Sequence, residues 1–175
     1  MSSTRIKTAI ESLSGAINAD PGKARAKATP ATARLVDGLR SEVTGPKGER
    51  ILTDMPPAMG GEGSSPNPGW YLRAAMASCT TSVIAMHAAK RGIKLDALEV
   101  TVESEGDNRG ILGMDDKVSA GYSELRMKVR IASSSATEAE LRELTEFAEA
   151  HSPVGCTLER SPPRALAVEV VKSRR

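Results

Sequence analysis

One long segment in the middle of the chain constrains the fold more than any other feature. After Pro68-Gly69, no proline or glycine occurs before Gly92. Asn67 can cap the start of a helix, Pro68 is favoured at the first helical position, and Gly92 is typical of a C-terminal cap. The segment therefore predicts one helix of about six turns.

The composition of this helix predicts that it is covered on several sides. Met76, Cys79, Val83 and Met86 recur on one face at helical spacing, and many of the other positions are alanine. The whole chain of 175 residues has only four aromatic side chains, so small and aliphatic side chains must fill its core. Such a core favours closely packed helices and oligomerisation, and we expect a stable homodimer.

The remaining segments predict a mixture of helices and antiparallel strands. Helical spacing or capping signals occur at 4–19, after Thr137 and near Pro153, and strand-like alternation occurs at 24–54, 98–103, 122–131 and 165–171. A loop rich in proline and glycine occupies 55–68. The order predicts an α+β fold with antiparallel sheets. We divide the chain into a helical arm at 1–27 and one domain at 28–175.

Composition and charge exclude several classes of function. The net charge is only +2 and the aromatics are few, which argues against a nucleic-acid-binding protein. No run approaches the roughly 18 apolar residues of a membrane span, and residues 1–7 lack a leader pattern, so we expect a soluble cytoplasmic protein. Two cysteines and two histidines form no metal-ligand spacing, and neither a metal nor a cofactor is predicted.

The two cysteines are the candidates for chemistry. Cys79 lies in the middle of the long helix, where it is either a small core residue or a reactive thiol. Cys156 follows Pro153-Val154-Gly155, at the start of a turn or short helix whose backbone N–H groups can stabilise a thiolate. The two are far apart in the sequence, so any contact between them is tertiary. We interpret His87 and His151 as structural residues.

Two sequence motifs resemble those of the OsmC/Ohr family. The first is a glycine-rich loop, Asn67-Pro68, a helix of small residues and then Cys79, and the second is the run at 152–158, Ser-Pro-Val-Gly-Cys-Thr-Leu. The resemblance covers roughly residues 30–171, in the family's order of elements. It implies an intertwined homodimer in which antiparallel sheets wrap around long central helices, with the active sites at the subunit interface.

The resemblance also implies a reaction. Cys79 would attack an organic hydroperoxide as a thiolate, an alcohol would leave, and a sulfenic acid would form and condense with a second thiol. A dithiol or lipoyl-type reductant would then restore the protein. The family's second cysteine corresponds to Ser152 here, so Cys156, four residues later, is the candidate for its role.

The resemblance also implies an arginine that activates Cys79, and two arginines are candidates for it. Many members of the family carry a glutamate that orients an arginine, at the position of Gly69. Arg34 and Arg40 lie in the predicted strands at 24–54 and are the candidates for that arginine. A cysteine three turns into a helix is too far from the helix start for the dipole to ionise it, and so needs a cation nearby.

Two functions follow from these residues. The first is a thiol-dependent peroxidase for organic hydroperoxides, acting through Cys79. The alternative is a non-catalytic protein of the same fold that binds a small apolar ligand at the dimer interface. In both hypotheses the binding pocket is lined by Met55, Met59, Trp70, Met76 and Ser152.

Overall fold

The computed structural model describes residues 3–172, so the outermost residues of the predicted arm and domain, 1–2 and 173–175, lie outside the described part. Its elements are α1 Ser3–Ala19, β1 Thr32–Asp37, β2 Arg40–Thr44, β3 Arg50–Thr53, α2 Pro68–Arg91, β4 Ala97–Glu105, α3 Asn108–Ile111, β5 Glu124–Ala132, α4 Glu138–Ala150 and α5 Pro153–Arg160. Short 3₁₀ turns occupy Pro21–Ala24 and Pro57–Met59. The predicted α+β class is confirmed.

The long helix α2 has the predicted ends. The Asn67 side chain accepts a hydrogen bond of 2.9 Å from the backbone N–H of Trp70, and Pro68 is the first helical residue. Gly92 adopts a left-handed conformation, with φ of 74°, and its N–H donates to the carbonyls of Ala88 and Ala89. Local capping chemistry therefore fixes both boundaries of this helix.

The helix α2 is the centre of the core. It packs against α1, β4, α4 and α5, and the buried cluster joins Val83, Ile84 and Ala88 of α2 to Leu144 and Ala148 of α4. The apolar face of the β4–β5 hairpin covers this cluster. Burial on several sides is thus confirmed.

The predicted apolar stripe of α2 is only partly the buried face. Val83 is buried, whereas Met76 and Cys79 are half-buried and Met86 remains 42% exposed. The hairpin and α4 both pack on the face centred on Ile84, which leaves the predicted stripe at the edge of the core.

The two sheets are antiparallel and separate. The order β1-β2-β3 forms a meander, in which Val43 of β2 pairs with Ile51 of β3, and β4 pairs with β5 over nine residues. Every residue of β1 is exposed. The meander is tied to α2 by a 2.9 Å hydrogen bond from the Tyr71 hydroxyl to the Leu52 carbonyl. The predicted antiparallel sheets are confirmed.

The strand predicted at 165–171 is not formed. Residues 161–172 have no regular structure, and Leu166, Val168 and Val170 are 90%, 76% and 91% exposed. A strand requires a neighbouring strand to satisfy its backbone groups, and the described part of the single chain supplies none here. The prediction is wrong for the single chain.

The N-terminal arm is a helix that packs against the central one. The apolar side chains Ile6, Ile10 and Ile17 of α1 are half-buried, and Leu13 is 60% exposed. None of the helices within residues 3–172 has the length and the apolar character that crossing a membrane would require.

Candidate active site

The sulfur of Cys79 lies at the junction of α2 and α5. Cys79 is in the third turn of α2, is half-buried and packs against the core cluster. Its Sγ accepts a hydrogen bond of 3.3 Å from the Ser152 hydroxyl. The structure therefore brings Ser152 into contact with Cys79.

Ser152 is held in place by the start of α5. It is fully buried and is the N-cap of α5, where its Oγ accepts a 3.4 Å hydrogen bond from the Gly155 N–H. The buried hydroxyl of Thr80 donates to the same oxygen at 3.5 Å. Pro153 at the first helical position makes this a favourable helix start. Sequence analysis missed Thr80, although a polar residue beside Cys79 on the buried face was a possible signal.

Cys156 lies one turn further along α5 and points elsewhere. Its N–H donates to the Ser152 carbonyl at 2.8 Å, and its Sγ donates to the Ala150 carbonyl at 3.3 Å. Cys79 and Cys156 are both free thiols. The structure thus brings Ser152, not Cys156, to the sulfur of Cys79 by a hydrogen bond.

The two candidate arginines belong to the meander. Arg34 is exposed on β1, and Arg40 is half-buried at the start of β2, where it lines a small depression with Asp54 and Glu62. Neither donates a hydrogen bond to Cys79 within the residues that the structure describes.

A different arginine lies on α2. One Nη of Arg73 donates to the Ser104 hydroxyl at 2.9 Å and to the Tyr122 hydroxyl at 3.2 Å, so it ties α2 to the hairpin. A Cβ placed on Gly69 would overlap the same Tyr122 hydroxyl. The space at Gly69 is thus filled by the Tyr122 hydroxyl. Helical and strand periodicity give no signal for this tertiary contact.

The loop before α2 is organised by a buried carboxylate. Asp54, 2% exposed, accepts hydrogen bonds from the N–H groups of Met55, Glu62 and Ser64 at 2.8, 3.2 and 2.9 Å, and from the Ser64 hydroxyl at 2.9 Å. The backbone N–H of Ser64 is the chief cause that lowers the pKa of Asp54 below its ordinary value. Asp54 therefore folds the loop back on itself.

This loop forms one wall of a cavity of about 380 Å³. Met55 and Met59 line it together with Ile111 and Tyr122 from the connection between β4 and β5. Trp70 instead lines an adjacent depression beside Arg73 and Asp54. Met76 and Ser152 line neither, so the predicted pocket is only partly assembled in the single chain.

The two histidines flank one aromatic ring on the outer side of α2 and α4. The ring centroid of Phe147 lies 4.7 Å from that of His87 and 4.0 Å from that of His151. Burial lowers the pKa of His87 below its ordinary value, and the charges of Lys90, His151 and Arg91 lower it further. Within residues 3–172, no three His, Cys, Asp or Glu side chains are grouped as metal ligands.

Solved structures with the same fold come from several bacteria. An organic hydroperoxide resistance protein OsmC from Legionella pneumophila is 23% identical, with 77% of this chain and 90% of that chain covered and a TM-score of 0.58. An OsmC-like protein from Mycoplasma pneumoniae is 19% identical, with 77% and 89% covered and a TM-score of 0.66. An organic hydroperoxide resistance protein from Elizabethkingia anophelis is 20% identical, with 76% and 89% covered and a TM-score of 0.54.

The residues matched by a family model include both Cys79 and Ser152. No curated protein matches the chain. The family described as OsmC-like protein matches residues 61–166, which is more than half of the chain and includes α2, the β4–β5 hairpin and α5. The chain belongs to the OsmC-like protein family.

Proposed function

We propose that the protein is a thiol-dependent peroxidase that reduces organic hydroperoxides through Cys79. The observation that carries the proposal is the half-buried Cys79 sulfur on α2, which accepts a hydrogen bond from the buried Ser152 hydroxyl. Proteins of the same fold named for organic hydroperoxide resistance support this substrate class. Two free thiols also suit the cytoplasm, the location that we propose.

The proposed reaction has two steps at the Cys79 sulfur, an oxidation by the hydroperoxide and then the formation of a disulfide. The Cys79 thiolate attacks the outer oxygen of the hydroperoxide, the O–O bond breaks, and the organic alkoxide leaves as an alcohol after taking a proton. The sulfur, now a sulfenic acid, forms a disulfide with a second thiol and releases water. A dithiol or lipoyl-type reductant reduces that disulfide and becomes oxidised itself. No metal or cofactor takes part in the proposed cycle.

We propose that the working unit is a homodimer. In the single chain the meander exposes Leu35, Val36 and Ile51 at 72%, 51% and 41%, and the segment at 164–172 exposes further aliphatic side chains. A second copy would cover these exposed apolar side chains. Arg34 and Arg40, on that same meander, are the proposed cations for Cys79, reached across the dimer interface.

The dimer is tested by the mass in solution. Light scattering should give twice the chain mass, and Leu35→Asp should give monomers, because it places a charge in the proposed interface. Leu13→Asp, on the exposed side of α1, is the matched control and should remain a dimer. A monomeric wild-type protein at micromolar concentration would contradict this proposal.

The peroxidase activity is tested by thiol counting. One equivalent of cumene hydroperoxide should oxidise Cys79 and yield one equivalent of the alcohol. The variant Cys79→Ser should yield none, while Cys156→Ser should still consume the first equivalent. If the wild-type thiols stay reduced and no alcohol appears, the proposal fails.

The cavity favours a second candidate function, the binding of a small apolar ligand without catalysis. Met55, Met59 and Ile111 give its wall an apolar character, and about 380 Å³ lies within the size range of small-ligand pockets. Under this alternative, a fatty acid or similar molecule would copurify with the protein, and Met59→Asp would release it. Rapid reduction of hydroperoxide would exclude the non-catalytic alternative.

A further inference from the structure

The hydrogen bonds around Ser152 determine the direction of its contact with Cys79. A serine hydroxyl has one proton to donate and two lone pairs with which to accept. Here the oxygen accepts from the Thr80 hydroxyl at 3.5 Å and from the Gly155 N–H at 3.4 Å. Both lone pairs are occupied, so the hydroxyl proton is free to be directed at the Cys79 sulfur 3.3 Å away.

The burial of both hydroxyl groups supports this direction of the hydrogen bond. Ser152 and Thr80 are both 0% exposed, so water does not compete for their hydroxyl groups. Among the described residues, the Cys79 sulfur is the acceptor that the structure gives to the Ser152 proton. The result is an ordered relay from Thr80 to Ser152 to Cys79, with the backbone of α5 holding its middle member.

A hydroxyl that donates to the sulfur favours one protonation state of that sulfur. A thiolate can only accept, whereas a thiol in the same place also carries a proton of its own that must find an acceptor. Hydrogen bonds to charged groups are stronger than those between neutral groups. A hydroxyl that donates to this sulfur therefore makes a stronger hydrogen bond with a thiolate than with a thiol.

We propose that Ser152 is a catalytic residue that donates to and stabilises the Cys79 thiolate, with Thr80 as the residue that positions it. The inference rests on the proposed chemistry at Cys79 and adds to it a residue that acts on the reacting sulfur. Position 152 would thus supply a proton donor to the reacting sulfur.

The test measures the reactivity of the sulfur without any hydroperoxide. Wild type and variants of the full-length protein are alkylated with iodoacetamide at pH 7. Trypsin then separates Cys79, on residues 74–90, from Cys156, on residues 143–160. Mass spectrometry of the two peptides gives a separate rate for each thiol. A protein that fails as a peroxidase can still pass this test, so the two failures are distinguishable.

We expect Ser152→Ala to slow the alkylation of Cys79 about threefold. Loss of one hydrogen bond to a charged acceptor weakens the stabilisation of the reacting sulfur about tenfold. A less stabilised thiolate is the stronger nucleophile, which offsets about half of this on a logarithmic scale. Thr80→Val should slow Cys79 in the same direction and by less, because the Ser152 hydroxyl remains.

Two controls separate this effect from loosening of the structure. Ser152→Gly also lacks the hydroxyl but is a far better N-cap than alanine, so it should slow Cys79 equally. Thr137→Ala removes the N-cap of α4 and should leave the rate at Cys79 unchanged. Fraying of α5 alone would expose both thiols and accelerate both rates, which is the opposite sign. An unchanged or faster rate at Cys79 in both Ser152 variants would overturn the proposal.

Discussion

Oxidation with one equivalent of hydroperoxide should leave Cys79 as a sulfenic acid that Cys156 captures only slowly. Cys156 lies one helical turn beyond Ser152, a rise of about 6 Å along α5. A disulfide holds its sulfurs about 2 Å apart and its Cα atoms within roughly 6.8 Å. The Cys156 thiol donates instead to the Ala150 carbonyl, so the bridge requires the first turn of α5 to open.

The delay can be worked out from the hydrogen bonds that opening would break. These are the N-cap bond to the Ser152 side chain, the 2.8 Å bond from the Cys156 N–H to the Ser152 carbonyl, and the 2.7 Å bond from the Thr157 hydroxyl to the Pro153 carbonyl. At about 1 kcal/mol net for each bond, opening costs about 3 kcal/mol. Such a state is populated about one part in a hundred, and closure slows by that factor.

The assay follows sulfenic acid and disulfide by mass spectrometry after quenching with dimedone. In wild type we expect a dimedone adduct on Cys79 at early times and a Cys79–Cys156 disulfide only later. The control is the double variant S152C/C156S, which places a thiol where the serine oxygen lies 3.3 Å from the Cys79 sulfur, and which should form the disulfide about a hundredfold faster. Equally fast closure in both proteins would refute the reasoning, and preferential oxidation of Cys156 would refute the assignment of Cys79.

Three further predictions concern the surroundings of the site. Because the pKa of His87 is lowered in the folded protein, the unfolded chain binds more protons near pH 6. The stability should therefore fall as the pH drops below about 6.5. His87→Gln should reduce this loss of stability, as measured by thermal melts. The pKa of Asp54 is also lowered, so its contribution is present above the ordinary carboxyl range and is lost on acidification. In wild type, acidification should shift the fluorescence of Trp70, which is the only tryptophan. Asp54→Asn should produce the same shift at neutral pH. Gly69→Ala should cost about 1–3 kcal/mol in chemical denaturation, and Tyr122→Phe should recover part of that loss, whereas additive losses would contradict the overlap at the Tyr122 hydroxyl.

The elements that could be predicted from the sequence are those whose signals are local. The caps at Asn67 and Gly92 fix α2, and the capping box at Thr137, where Glu140 also bonds back to the cap, fixes the start of α4. The alternation in β4 and β5 appears in the structure as alternating burial of their side chains. In each case the deciding interaction joins residues within a few positions of one another.

The parts that could not be predicted depend on distant neighbours. The segment at 165–171 has the composition of a strand but no partner in the single chain, so its pattern did not become structure. Which face of α2 is buried depends on where α4 and the hairpin pack, so Met86 remains exposed in the single chain although it belongs to the apolar stripe. The contact of Ser152 with Cys79 joins residues that only the tertiary fold brings together.

The residue at position 152 has two roles, and serine fulfils both of them better than cysteine would. As the N-cap of α5 it needs an oxygen that accepts from the Gly155 N–H, and serine is among the best residues for this. As the neighbour of Cys79 it needs a proton to donate, and a hydroxyl donates more strongly than a thiol. A cysteine would add a resolving thiol but weaken both interactions. Serine therefore stabilises the first turn of α5, and this stable turn keeps Cys156 away from the sulfur of Cys79.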